Sequence, residues 1–283
     1  MITQIKKQIT QISPILLVIP FFISILNAQN FASKGQSLTI SEPEKSFRVG
    51  EKLQYRVEWL GIPVGNIILN VAGIEKIDSN ECYHIIARAM PNRFLTKLYD
   101  IEYTVHTYID KNTLYTVRFE KTRRLRDKIA HIVIDFDRKK NEARIRREGS
   151  ADSIHISSLR EELGRGMPTT IEILGDTQDL FSSFFQFRLM QIKQDHSYPI
   201  NIYYDERNWT INMKVERPFI KDMRKKGSFA VFKSLLESDL NSYILGKSKL
   251  YVYFTADSRR IPLEFHLGTG LGPVRGIIKN IPD

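Results

Sequence analysis

Cysteine is nearly absent: Cys82 is the single one in 283 residues. A lone cysteine makes no internal disulfide, so no pair of thiols staples this fold. Cys82 reads as a small packed residue. Histidine is sparse as well. His84, His106, His131, His155, His196 and His266 stand singly, without the clustered Cys and His spacing of a zinc site. No Gly-x-Ser-x-Gly elbow marks a hydrolase nucleophile. Gly268, Gly270 and Gly272 make a glycine-rich stretch, but the lysine and following helix of a phosphate loop are missing, so it reads as a turn. No apolar run reaches the roughly 20 residues of a membrane-crossing helix. These absences leave no catalytic residue, metal or cofactor to name.

What is present begins with a targeting pattern. Lys6 and Lys7 precede an apolar run from Pro14 to Leu26, followed by Asn27, Ala28 and then polar residues. The order of charged, apolar and small residues is that of a secretory signal peptide, with 1–28 removed on export. The alternative is an uncleaved anchor. Export predicts a periplasmic or cell-surface protein, soluble or peripheral; with no cysteine at the cleavage point, it is not a lipoprotein. Residues 29–46 are polar and aperiodic and read as a flexible leader. The net charge of +10 loses only two lysines with the signal and stays at +8.

From Phe47 onward the period is two. Leu53, Tyr55, Val57 and Trp59 alternate with Lys52, Gln54, Arg56 and Glu58, as in a strand with one packed and one solvated face. Similar runs recur through to Ile281, separated by polar turns such as Asp110–Asn112 and Asp137–Asn141. About a dozen strands in an antiparallel meander are expected. One segment breaks the pattern: Gln178 to Ile192 predicts a helix, with Asp176 or Thr177 as its cap and Asp179 in its first turn. It carries Phe181, Phe184, Phe185, Phe187 and Arg188. Those phenylalanines either fill a core, which is the favoured reading, or line an apolar pocket. Ser182 organises the helix start. Arg188 snorkels or pairs with a carboxylate.

Four basic runs stand out: Lys121–Arg126, Arg138–Lys140, Arg144–Arg147 and Lys221–Lys226. The first three fall on neighbouring strands and turns. They can form one patch through Arg123, Arg124, Arg126, Lys139, Lys140, Arg144 and Arg146, although a solvated face is the commoner meaning of such runs. A real patch would attract anionic lipid or an acidic envelope polymer, and would permit peripheral membrane contact. Export disfavours nucleic acid. Asp135 and Asp137 share one strand face, as a hard-cation site needs, but they sit at a hairpin entrance, where the turn reading is favoured.

The order of these pieces is familiar. Gly50-Glu51, Leu53 and Tyr55 lead to Gly61-Ile62-Pro63-Val64-Gly65; Asp179-Leu180 and Ser182 run on to Arg188; Ser258, Arg260 and Pro262 come near the end. This resembles an exported bacterial family known only as domain of unknown function 3108, over residues 47–283. The resemblance implies one mainly β domain. It suggests a large curled antiparallel sheet, a half-barrel or open barrel like the lipoprotein-carrier proteins, with an amphipathic helix on its concave face. It supplies no catalytic residues. Three functions remain open. The first is binding of a lipid or other amphiphile by Phe181, Phe184, Phe185 and Arg188, or help in envelope assembly. The second is a scaffold acting through its outer face, and the third an undetected hydrolase.

Overall fold

Leu53, Tyr55 and Val57 are buried, while Lys52 and Arg56 are exposed and Gln54 is half-buried, so β1 (Lys52–Trp59) packs one face and solvates the other. Seven strands follow it in chain order, each antiparallel to the last: β2 (Ile62–Ile77), β3 (Asn80–Pro91), β4 (Ile101–Asp110), β5 (Thr116–Leu125), β6 (Lys128–Asp137), β7 (Glu142–Gly149) and β8 (Thr169–Glu172). The second half returns as β9 (Ser197–Tyr204), β10 (Arg207–Val215), β11 (Phe219–Asp222), β12 (Ser228–Glu237), β13 (Leu250–Thr255), β14 (Pro262–Thr269) and β15 (Gly272–Ile278). β15 pairs with the free side of β1, which joins the two halves into one sheet, fifteen-stranded among the described residues. The computed structural model describes residues 38–44, 47–97, 100–149, 169–204, 207–237, 250–269 and 272–282. The segment read as a signal peptide lies outside the described residues.

β8 and β11 are strands that the sequence pattern misses. Each has four residues, too few to display a period. β2 runs on to Ile77 past an irregularity between Val71 and Gly73. Thr269 pairs with Gly272 in the β14–β15 ladder, and Gly270 of the glycine-rich stretch lies outside the described residues.

The sheet curls until its two edges, β8 and β9, face each other. The linker after β8 crosses that seam. Gln178 N donates to Asn201 O (2.8 Å), Tyr203 N donates to Gln178 O (2.8 Å), and Asn208 Nδ2 reaches Glu172 O (3.0 Å). These bonds satisfy part of the open edge, which would otherwise offer unpaired backbone groups. The linker then delivers the helix Leu180–Leu189 to the concave side. A second helix, Arg93–Thr96, makes one turn.

Seven of the ten residues of Leu180–Leu189 are buried, because the curled sheet encloses it. Phe47, Leu53, Tyr55, Ile67, Phe254 and Phe265 belong to the core that surrounds it. Residues 38–44, part of the segment read as a flexible leader, are held to the β13–β14 turn. Ser41 N donates to Ala256 O (2.8 Å) and Glu44 N to Ser258 O (3.0 Å), and Ile40 packs on the core. Among the described residues, no helix is long and apolar enough to cross a membrane.

Candidate functional site

The helix carries the first set of candidate residues, and its two ends are locked. The cap is Asp179, not Asp176 or Thr177: its Oδ1 accepts from Phe181 N (2.8 Å) and Ser182 N (3.1 Å). Its Oδ2 accepts from Thr107 Oγ1 (2.6 Å) and from Ser182 Oγ. Gln178 Oε1 accepts from Thr116 N (2.9 Å). The buried carboxylate is thus compensated by hydroxyl and amide donors. Ser182 has no exposed surface and serves this cap, where no substrate reaches it.

At the other end Arg188 makes a two-pronged bond to Glu51, Nη1–Oε1 2.6 Å and Nη2–Oε2 2.9 Å. Arg260, fully buried, donates to the carbonyls of Arg188, Met190 and Ser41. Tyr55 Oη donates to Pro262 O (2.8 Å). Glu51, Asp179, Ser182, Arg188 and Arg260 therefore converge on two fastenings of one helix, while the Tyr55–Pro262 bond ties β1 to β14.

The phenylalanines between these fastenings pack edge-on and tilted against the wall. Phe185 meets Phe47 at 5.3 Å, Phe187 meets Phe254 at 5.4 Å, and Phe184 meets Phe254 at 5.7 Å. A cavity of about 30 Å³ remains beside Leu180 and Phe184, lined also by Ile211, Met213, Leu236 and Val252. That volume suits a water molecule or so, far below the roughly 300–1,000 Å³ of ligand pockets. Phe181, Phe184, Phe185 and Arg188 stand as core and fastening.

The basic runs do not form one face. Successive strand residues point to opposite sides, so Lys121 and Arg123 share the concave face with Val105 and Tyr103, their register partners. Arg124 points outward and bridges Asp100 (3.2 Å) and Glu102 (3.0 Å). Arg146 and Arg118 both hold Asp135 (2.6 and 2.5 Å). Arg144 is exposed on β7. Arg126 lies in the β5–β6 turn, while Lys139 and Lys140 lie in the β6–β7 turn, at the opposite end of that hairpin. Asp137 accepts from Lys139 N (3.1 Å) and Lys140 N (3.2 Å), so it is a turn residue. Arg138 rests against Tyr115 and Phe136 and donates to Thr116 O (2.8 Å); burial pushes its pKa down to about 10.

A different site results from this splitting. On the concave side of β4–β7, one row reads Val105, Lys121, Ile132 and Arg147, and the next reads Tyr103, Arg123 and Ala130. Arg123 is only 5% exposed, and among the described residues its Nε and Nη2 have no hydrogen-bond partner. Burial lowers the pKa of Arg147, whose Nη1 lies 3.4 Å from Thr169 Oγ1. Lys121 sits over the Tyr103 ring at 5.7 Å. The large apolar core takes only Val105 from these two rows, with Ile132 packed on the smaller cluster of Phe136, Ala143, Ile145, Ile173 and Tyr203. Beside its apolar core the concave surface thus carries three cations, Lys121, Arg123 and Arg147.

Two polar clusters lie on the convex side. His84 links Glu75 (Nδ1–Oε1 2.6 Å) to His106 (Nε2–Nδ1 2.8 Å). Glu264 is buried beneath His266, Arg275 and Lys221. Glu75, His84 and His106 sit on three different strands, and although Glu264 and His266 are two apart on β14, Arg275 and Lys221 come from β15 and β11, so no sequence spacing shows either cluster whole. Among the described residues, no three of His, Cys, Asp and Glu are arranged to hold a metal ion.

The family model for a protein of unknown function, DUF3108, matches residues 54–279. The chain belongs to this family. The family description assigns no activity, and no curated protein matches the chain. Among solved structures, a β-barrel-like protein of the domain of unknown function DUF1849 from Brucella abortus is similar over 82% of this chain and 97% of its own. Its identity is 9% and its TM-score 0.49.

Proposed function

We propose that this DUF3108 protein is a non-catalytic binding protein of the bacterial envelope that holds the anionic group of a lipid or another amphiphile on the concave face of β4–β7. Arg123 carries the reading. A buried guanidinium with two unmet donors costs free energy until an acceptor arrives. Its planar fork takes a phosphate or carboxylate through two parallel bonds. Lys121 and Arg147 face the same space and add positive charge. The N-terminal order of charged, apolar and small residues supports export, and the net charge of +10 supports an acidic partner. The acyl part has no place among the helix phenylalanines, where about 30 Å³ is open.

Titration calorimetry with inorganic phosphate and with a soluble short-chain phosphatidic acid tests this. The protein binds, and Arg123→Gln weakens binding by roughly 10- to 100-fold, the value of a charge-assisted pair. Arg123→Met is the counter-test. If it raises stability without changing any binding, and native mass spectrometry of envelope-isolated protein finds no bound anion, the reading fails. The packed apolar core around the helix favours the second reading, a scaffold acting through its outer face.

A further inference from the structure

We infer that the hairpin made by β11, the tight turn Arg224–Lys226 and β12 docks the protein on an anionic bilayer surface. This rests on observations independent of Arg123. Of the four basic runs, the first three give Arg124 and Arg146 to ion pairs, Lys140 to Asp137, Arg138 to aromatic rings, and Lys121 and Arg123 to the concave side, which leaves their exposed cations scattered over two turns and β7. In the fourth, Lys221 is drawn to Glu264 and over the Tyr253 ring at 4.0 Å. Arg224, Lys225 and Lys226 are exposed, and among the described residues their side chains have no ionic partner.

The turn holds these three cations out. Arg224 has φ +57° and Gly227 φ +91°, and Asp222 Oδ1 accepts from Arg224 N (2.7 Å). Just before them come two large apolar residues that the core leaves outside: Phe219, 39% exposed, and Ile220, 56% exposed. As neighbours in a strand they present opposite faces, so both reach the apolar boundary when the edge strand β11 enters it edge-on. β11 pairs only with β12 among the described strands.

Charge complementarity selects the partner. Cations attract any polyanion, but a soluble acidic polymer has no use for Phe219 and Ile220. A bilayer of anionic lipid has both parts, a negative headgroup layer and an apolar boundary beneath it. The hairpin combines the two in eight residues, Phe219 to Lys226. Binding of this kind weakens as salt screens the headgroups.

Co-sedimentation of the protein with vesicles tests the docking. One set is phosphatidylcholine alone; the other is equal parts phosphatidylcholine and phosphatidylglycerol. The protein pellets with the mixed vesicles, less so at high salt, and not with the neutral ones. Replacing the cations by Arg224→Gln, Lys225→Gln and Lys226→Gln together weakens binding on the order of 100-fold. Phe219→Ser with Ile220→Ser weakens it about tenfold or more. Lys139→Gln with Lys140→Gln, which strips charge from the distant β6–β7 turn, changes it by less than about threefold. Arg123→Gln leaves it unchanged, which separates this surface from the interior anion site. All these positions except Arg123 are exposed, so thermal melts confirm that the variants stay folded. Failure to bind mixed vesicles, equal binding to neutral ones, or an equal loss in the Lys139 and Lys140 variant overturns the proposal.

Discussion

Glu51 and Arg188 stand 137 residues apart in the chain and meet through two hydrogen bonds of 2.6 and 2.9 Å, with both side chains more than nine-tenths buried. The pair ties the start of β1 to the last turn of the enclosed helix. Removing one member strands a buried charge. Arg188→Met is expected to cost about 3–5 kcal/mol in urea denaturation, and adding Glu51→Gln to recover part of that loss. A loss below about 1 kcal/mol would mean that water already solvates the pair.

Phe185 and Phe187 are almost fully enclosed. If they are core, truncation leaves a void that the sheet cannot close. Phe185→Ala and Phe187→Ala should each cost about 3–5 kcal/mol, measured by chemical denaturation. Phosphate binding by the folded fraction should be unchanged. Loss of binding with stability intact would return these rings to a ligand site.

Glu264 makes the acid limb of stability. Burial disfavours its charged form, but hydrogen bonds from His266 and Arg275 and the charge of Lys221 outweigh that and hold its pKa at about 2, against an ordinary 4.5. A carboxyl with a depressed folded pKa stabilises the fold above its unfolded pKa. That contribution, roughly 3 kcal/mol, is lost as pH falls from about 4.5 toward 2. Stability curves between pH 5 and 2 should be steeper for the native chain than for Glu264→Gln; parallel curves would contradict the assignment.

His106 acts in a higher window. Burial, then the neighbouring His84, lower its pKa from 6.5, with Arg88 adding to this and Glu120 and Glu75 opposing it. The folded protein takes up this proton less readily than the unfolded chain does. Stability should therefore fall as pH drops through 6.5 and continue falling until the folded pKa is passed. Comparing urea midpoints at pH 7.5 and 5.5 should show a drop that shrinks in His106→Gln. An unchanged difference would place the titration elsewhere.

Much of the architecture is legible in residue order. Leu53, Tyr55 and Val57 announce β1 by alternation, and a strand with one packed face implies a sheet that encloses something. Asp179 and Ser182 can be recognised at the start of a helix, although the cap falls on Asp179 itself, because only there do Thr107 and Thr116 add their hydroxyls. β8 and β11 escape notice because four residues carry too little pattern. Reading Lys121 to Arg126 as one basic patch ignores strand parity. Lys121 and Arg123 turn inward while Arg124 turns out to Asp100 and Glu102.

By itself, the sequence determines the period-two pattern, the aromatic helix and the positive balance, since each depends on neighbours a few positions apart. Only the tertiary structure decides that the phenylalanines are buried, that Glu51 takes Arg188, and that Arg123 is buried with donors unmet among the described residues. Those outcomes depend on which strands become neighbours and how far the sheet curls, and both are set by pairing across more than a hundred residues, as when β15 closes against β1.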